Sequence, residues 1–147
     1  MNNQADILLV ENNEDHAFLI MQALKKFENH KDLSVHVVED GMQALDFVRK
    51  KGSFPAAPTP DLILLDIKLP NKNGFEVLAS IKCDQQLRSI PVVMLTSSDI
   101  EADITHSYSL GCNGFITKPM EVNQLLNKLG NIVAYWVDAN TFPPKIR

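Results

Sequence analysis

Cysteine is scarce in this chain: Cys83 and Cys112 are its only two, far apart and in no C-x-x-C arrangement. A disulfide framework and a zinc finger are therefore excluded, and two ordinary reduced thiols remain. No apolar run approaches the roughly 18 residues that cross a bilayer. The first ten residues lack the charged start and apolar core of a secretion signal, so a cytoplasmic location without membrane association is expected. No block of Lys or Arg occurs, and a net charge of −4 speaks against general nucleic-acid binding. Internal repeats are missing as well. What the chain does have is 45% hydrophobic residues in 147, enough for one domain with a sizeable core.

Two kinds of segment alternate along it. Short apolar, β-branched runs at Asp6–Val10, Leu33–Val38, Leu62–Leu65, Val92–Leu95 and Phe115–Thr117 suit strands. Helical patterns fill the gaps. Asp15–Phe27 spaces Phe18, Leu19, Met21, Ala23, Leu24 and Phe27 mostly on one face. Asp40 caps a second helix that closes on Gly52. Asn73 with Glu76, and Ser98 with Glu101, have capping-box spacing for the third and fourth. A long last helix is expected from about Met120 to Val137, with Gly130 inside it. Ser53–Pro60, with three prolines, reads as a loop too short to be a linker.

Strict strand–helix alternation argues for parallel strands, because these need crossover helices, and the middle runs are apolar enough to be buried on both faces. Right-handed crossovers then give an α/β fold: a five-stranded parallel sheet, order 2-1-3-4-5, in a flavodoxin-like three-layer sandwich with five helices. Ligands of such sheets bind beyond the carboxyl ends of the strands, at the switch between strands 1 and 3. Strand 1 ends in Glu11-Asn12, strand 3 in Asp66, strand 4 in Thr96-Ser97 and strand 5 in Lys118-Pro119. Two acids, a hydroxyl and an ammonium on one rim make a site for a hard cation and an anion together. Magnesium suits a partial carboxylate cage of this kind.

The segments "ILLVEN", "DLILLDIKLPNKNG", "VVMLTS" and "GFITKP", in this order and spacing, resemble the receiver domain of two-component response regulators. The resemblance covers about residues 5–130. It implies that Asp66 accepts a phosphoryl group from the phosphohistidine of a sensor histidine kinase. Glu11, Asn12, Asp66 and the Lys68 backbone carbonyl would hold Mg2+, Thr96 would bond a phosphoryl oxygen, and Lys118 would pair with the phosphate. Phe115 falls at the family's aromatic switch position, with Thr96 as its partner in the switch, and is otherwise a core phenylalanine. The Lys118-Pro119 bond resembles the family's cis peptide. No catalytic activity is implied beyond the domain's own phosphotransfer and dephosphorylation.

The family usually has two acids where this chain has Glu11-Asn12. An Asn carbonyl still ligates magnesium but brings no charge, so weakened metal binding is expected, and a receiver-like protein that binds partners without phosphorylation is the alternative. A magnesium-dependent hydrolase with Asp66 as nucleophile would want a further acid or base just after it, and Ile67-Lys68 supplies none. The insertion at Ser53–Pro60 and the terminal "YWVDANTFPP" are similar to the stand-alone regulators that partner phytochromes. Residues 1–147 are thus expected to form a single receiver domain, with 131–147 as an extended last helix and tail. Tyr135 and Trp136 either cover the domain's own core or form a partner surface. A homodimer through helix 4, strand 5, helix 5 and the C-terminal segment is expected.

Overall fold

The computed structural model describes residues 4–26 and 32–145. Five strands, β1 (Gln4–Val10), β2 (Asp32–Val38), β3 (Leu62–Leu65), β4 (Val92–Thr96) and β5 (Gly114–Thr117), form one parallel sheet in the order β2-β1-β3-β4-β5. Five α-helices separate or follow them: α1 (Glu14–Lys26), α2 (Gly41–Arg49), α3 (Gly74–Lys82), α4 (Glu101–Ser109) and α5 (Val122–Ile132). The order and the parallel pairing are those read from the sequence.

Strand periodicity divides the core in two. Leu8, Val10, Ile63, Leu65 and Met94 point to the face covered by α2 and α3. Ile7, Leu9, Leu62, Leu64 and Leu95 point to the face covered by α1 and α5. Every residue of β3 is buried, as a central strand between two helical layers must be. No helix among the described residues is long and apolar enough to cross a membrane.

Local chemistry explains most of the helix ends. Asp40 caps α2 by accepting the Gln43 N–H at 2.7 Å. Asn73 and Glu76 make the full capping box of α3. Lys50, in the left-handed region at φ 57°, closes α2 in place of Gly52. Ser98 does not cap α4: its hydroxyl donates to Asp103 at 2.6 Å, and the helix starts after Ile100 without a side-chain cap. The last helix begins at Val122, where Glu121 accepts the N–H groups of Asn123 and Gln124. It continues past Ile132 as a π-helical segment, Val133–Ala139, so the expected single long helix changes pitch near its end.

The buried side of α1 also differs from expectation. Ala17, Ile20, Ala23 and Leu24 face the sheet, whereas Phe18 is 60% exposed. At about 100° per residue, Phe18 lies nearly opposite Ile20 on the helix, so burying Ile20 and Leu24 turns it out. Phe27 lies outside the described residues.

Candidate functional site

The strands β1, β3 and β5 are each followed directly by a charged residue, and β4 ends in Thr96, all on the same edge of the sheet. Register brings these ends together, since Val10 pairs with Leu65 and Thr96 with Thr117. Glu11, Asp66, Thr96 and Lys118 are all buried there. Lys118 Nζ is ion-paired with Glu11 Oε1 and lies 3.3 Å from Asp66 Oδ2. The sequence-derived juxtaposition of these three groups is present.

Backbone groups hold each of them. Glu11 Oε2 accepts the Asn13 N–H at 3.0 Å, so both oxygens of this carboxylate are engaged. Asp66 Oδ1 accepts the Ile67 N–H at 2.7 Å, which fixes the carboxylate plane. The Lys118 N–H donates to the Thr96 carbonyl at 2.7 Å and ties the end of β5 to that of β4. Among the described residues, Thr96 Oγ1 receives only a long 3.5 Å contact from the Ser98 N–H. Its hydroxyl hydrogen is therefore available to an incoming acceptor.

The Lys118-Pro119 peptide is trans, since no cis bond occurs among the described residues. Trans is the lower-energy form of an X–Pro bond, and here the Thr96 carbonyl and the Glu11 carboxylate fix the direction of Lys118.

Gly74, at the start of α3, was not singled out in the sequence. A Cβ at this position would sit 2.2 Å from the Asp66 carbonyl oxygen, and the Gly74 N–H donates to the Ile67 carbonyl at 2.7 Å. Glycine here lets α3 press directly on the backbone of Asp66. The only sequence signal was its place in "NKNG" after the acid.

Asn12 is exposed and its side chain makes no hydrogen bond among the described residues. The Lys68 side chain is exposed, and its carbonyl likewise accepts none. No three His, Cys, Asp or Glu side chains cluster as a metal site among the described residues. The donors that do converge fit a hard divalent cation nonetheless. Two buried carboxylates share one ammonium, which leaves one negative charge uncompensated.

Phe115 is half-buried against the α2–α3 side of the core. It also lines a cleft of about 470 Å3 with Tyr108, Lys128, Tyr135 and Trp136. Trp136 packs on the core on the α1–α5 side, whereas Tyr135 is 55% exposed, with the ring centroids 5.0 Å apart.

A second charged group, missed in the sequence, lies at the opposite end of the sheet. Lys145 pairs with Asp6 at 2.6 Å and Asp61 at 3.4 Å, and His36 Nε2 lies 3.2 Å from Asp6. Burial pushes the Asp6 carboxyl upward, but hydrogen bonds and charge from Lys145 and His36 outweigh it and hold Asp6 below its usual range. Burial likewise lowers Lys145, and its pairing with Asp6 and Asp61 more than reverses this. These contacts pin the C-terminal tail beneath β1. Elsewhere, burial pushes the Cys112 thiol up, as suits an inert core cysteine.

Residues 7–130 match the family model of the response regulator receiver domain. The response regulator Rcp1 of Synechocystis sp. is 38% identical over 137 residues, covering 93% of this chain and 92% of its own. The crystal structure of the phosphorylated cyanobacterial phytochrome response regulator RcpA superposes with a TM-score of 0.91 at 42% identity, over 96% of this chain and 99% of that one. The Mn(2+)-bound form of Rcp1 gives 0.90 at 37% identity, over 95% and 99%.

Proposed function

The chain belongs to the response regulator receiver domain family, and we propose that within it Asp66 is the residue that accepts a phosphoryl group from a histidine kinase. The observation that carries this reading is the buried Asp66 carboxylate at the end of the central strand, 3.3 Å from the Lys118 ammonium. Phosphoryl transfer asks little covalent chemistry of a protein, only alignment and positive charge near the equatorial oxygens. An Asp66 oxygen forms the new O–P bond as the P–N bond of phosphohistidine breaks. The electron pair returns to the imidazole nitrogen, which takes up a proton from solvent. Lys118 leaves Glu11 for the phosphoryl oxygens, and the Thr96 hydroxyl donates to one of them.

The divalent ion proposed here is Mg2+, held by Glu11, Asp66, the Lys68 carbonyl and the Asn12 side-chain oxygen. Bound there, it supplies positive charge against the oxygens of the transferred group. Lys118 and Glu11 must part for this to happen, because the ammonium occupies the Glu11 oxygen otherwise open to a metal.

The relatives named for phytochrome signalling support a phytochrome-type kinase as the partner. Output runs through protein contacts: Thr96 and Phe115 carry the phosphorylated state toward the cleft between α4 and α5. Phe has no hydroxyl to donate, so the switch rests on packing. The exposed Tyr108 and Tyr135 on that face support a two-fold homodimer that includes the C-terminal segment. Sedimentation showing a strict monomer at high concentration, with and without phosphorylation, would contradict the dimer.

Incubation with a phosphorylated histidine kinase tests the transfer itself. Label should appear on the chain as an acyl phosphate, which hydroxylamine removes. Transfer that fails at saturating Mg2+ would favour the binding-only reading that Asn12 suggests.

A further inference from the structure

The α1–β2 corner carries apolar surface that the phosphoryl site does not use. Phe18 is 60% exposed and Val37 39%, and Met21 is one helical turn from Phe18 on the same side of α1. On β2, Leu33 and Val35 pack against the α1 side of the core, and Val37 continues that row beyond the cover of α1. Between them lies a cleft of about 230 Å3 lined by Glu11, Glu14, Ala17, Phe18, Met21, Val37 and Glu39.

Its charge is one-sided. Among the described residues, three carboxylates and no Lys or Arg line it. Glu11 is buried and paired with Lys118, but Glu14 and Glu39 are exposed and form no ion pair among the described residues. An apolar floor with two uncompensated acids at its rim fits a cationic amphipathic ligand, with apolar side chains in the cleft and ammonium or guanidinium groups at its edge. Facing this surface with a second copy of itself would set like charges against each other.

We infer that the Phe18–Met21–Val37 cleft is a docking surface for a basic amphipathic helix of a partner protein. Phe18 is its anchor: a large aromatic side chain gives most of the contact area at little entropic cost. Glu14 and Glu39 select the charge of the partner and speed its approach.

A fluorescent helical peptide with Leu on one face and Lys on the other, titrated with the full chain, tests this. The same peptide with Glu in place of Lys is its counterpart. The Lys peptide should bind and the Glu peptide should not. Phe18→Ala should weaken binding by at least about tenfold, as loss of an aromatic anchor does. Val37→Thr, on a different element, should weaken it too and guards against a folding defect in the first variant. Glu14→Gln with Glu39→Gln should weaken it about three- to tenfold at low salt and much less at high salt. Asp99→Asn with Glu101→Gln, an equal charge change by α4, should leave it within about twofold. The inference is overturned if the Lys peptide does not bind, if both peptides bind alike, or if the two charge pairs have equal effects. It is overturned equally if Phe18→Ala and Val37→Thr bind as the native chain does. Self-association that Phe18→Ala abolishes would make a second copy the occupant, and would overturn it as well.

Discussion

Lys118, at the end of β5, reaches across the sheet edge to pair with Glu11 at the end of β1, and the pair is almost wholly buried. The ammonium thus stands between the two acids of the site and closes it on itself. Lys118→Ala removes this closure. Two neighbouring carboxylates are then unpaired, so the metal-free variant should melt lower, by up to about 3 kcal/mol of stability. Mg2+ should bind it roughly tenfold more tightly and recover the loss. Labelling should persist, but the phosphorylated and free forms should differ less than the native pair do, because the phosphate no longer contacts the two states differently. Calorimetric Mg2+ titration and melts check the first part. Unchanged metal affinity would show that the pair does not gate the site.

Asn12 predicts a change in the same direction by another route. An additional charge ~4 Å from a cation contributes up to about 4 kcal/mol at an effective dielectric near 20, and much of it is lost to solvent at an exposed position. Asn12→Asp should therefore tighten Mg2+ by roughly tenfold and speed labelling at limiting metal. At saturating Mg2+ the two proteins should label alike. Without metal the variant should be slightly less stable, since three carboxylates then crowd one ammonium. If neither the Mg2+-dependent melting shift nor the labelling rate moves, Asn12 is not at the metal.

The tail clamp gives a pH-dependent prediction. Asp6 is held below its usual range, so its contribution is present above the unfolded value of 3.8 and is lost as pH falls through the lower folded value. Lys145 is raised, so its contribution is complete below 10.5 and is lost as pH rises through the still higher folded value. Lys145→Ala should destabilise the protein by about 1 kcal/mol at neutral pH, a modest figure because the lysine is partly exposed. The gap to native should close in acid below the folded Asp6 value. Denaturant melts across pH decide it, and a gap of constant size from neutral to strongly acid pH would refute the clamp.

Much of this architecture was legible because it depends on short-range pattern. Four-residue apolar runs such as Leu62–Leu65 admit one reading between helical segments, and the crossover rules then fix the sheet order. The acids and the lysine were legible for the same reason: each interrupts an apolar run on one edge. What was not legible depends on packing between distant segments. Nothing near Glu11 signals that Lys118 takes up its outer oxygen. The exposure of Phe18 follows from which of two apolar sides α1 buries: the sheet takes Ala17, Ile20, Ala23 and Leu24, and Phe18 and Met21 fall on the other. Ser98 had capping-box spacing, yet its oxygen accepts the Ile100 N–H ahead of the helix and its hydrogen goes to Asp103. Lys145 sits in a tail without periodicity, and its partners Asp6 and Asp61 look like ordinary strand-flanking acids.

The central claim is that Asp66 takes the phosphoryl group, and intact-mass measurement after incubation with acetyl phosphate and Mg2+ tests it most directly. The native chain should gain one phosphoryl mass, and Asp66→Ala, shown by circular dichroism to be folded, should gain none. Equal labelling of the two proteins would contradict the account.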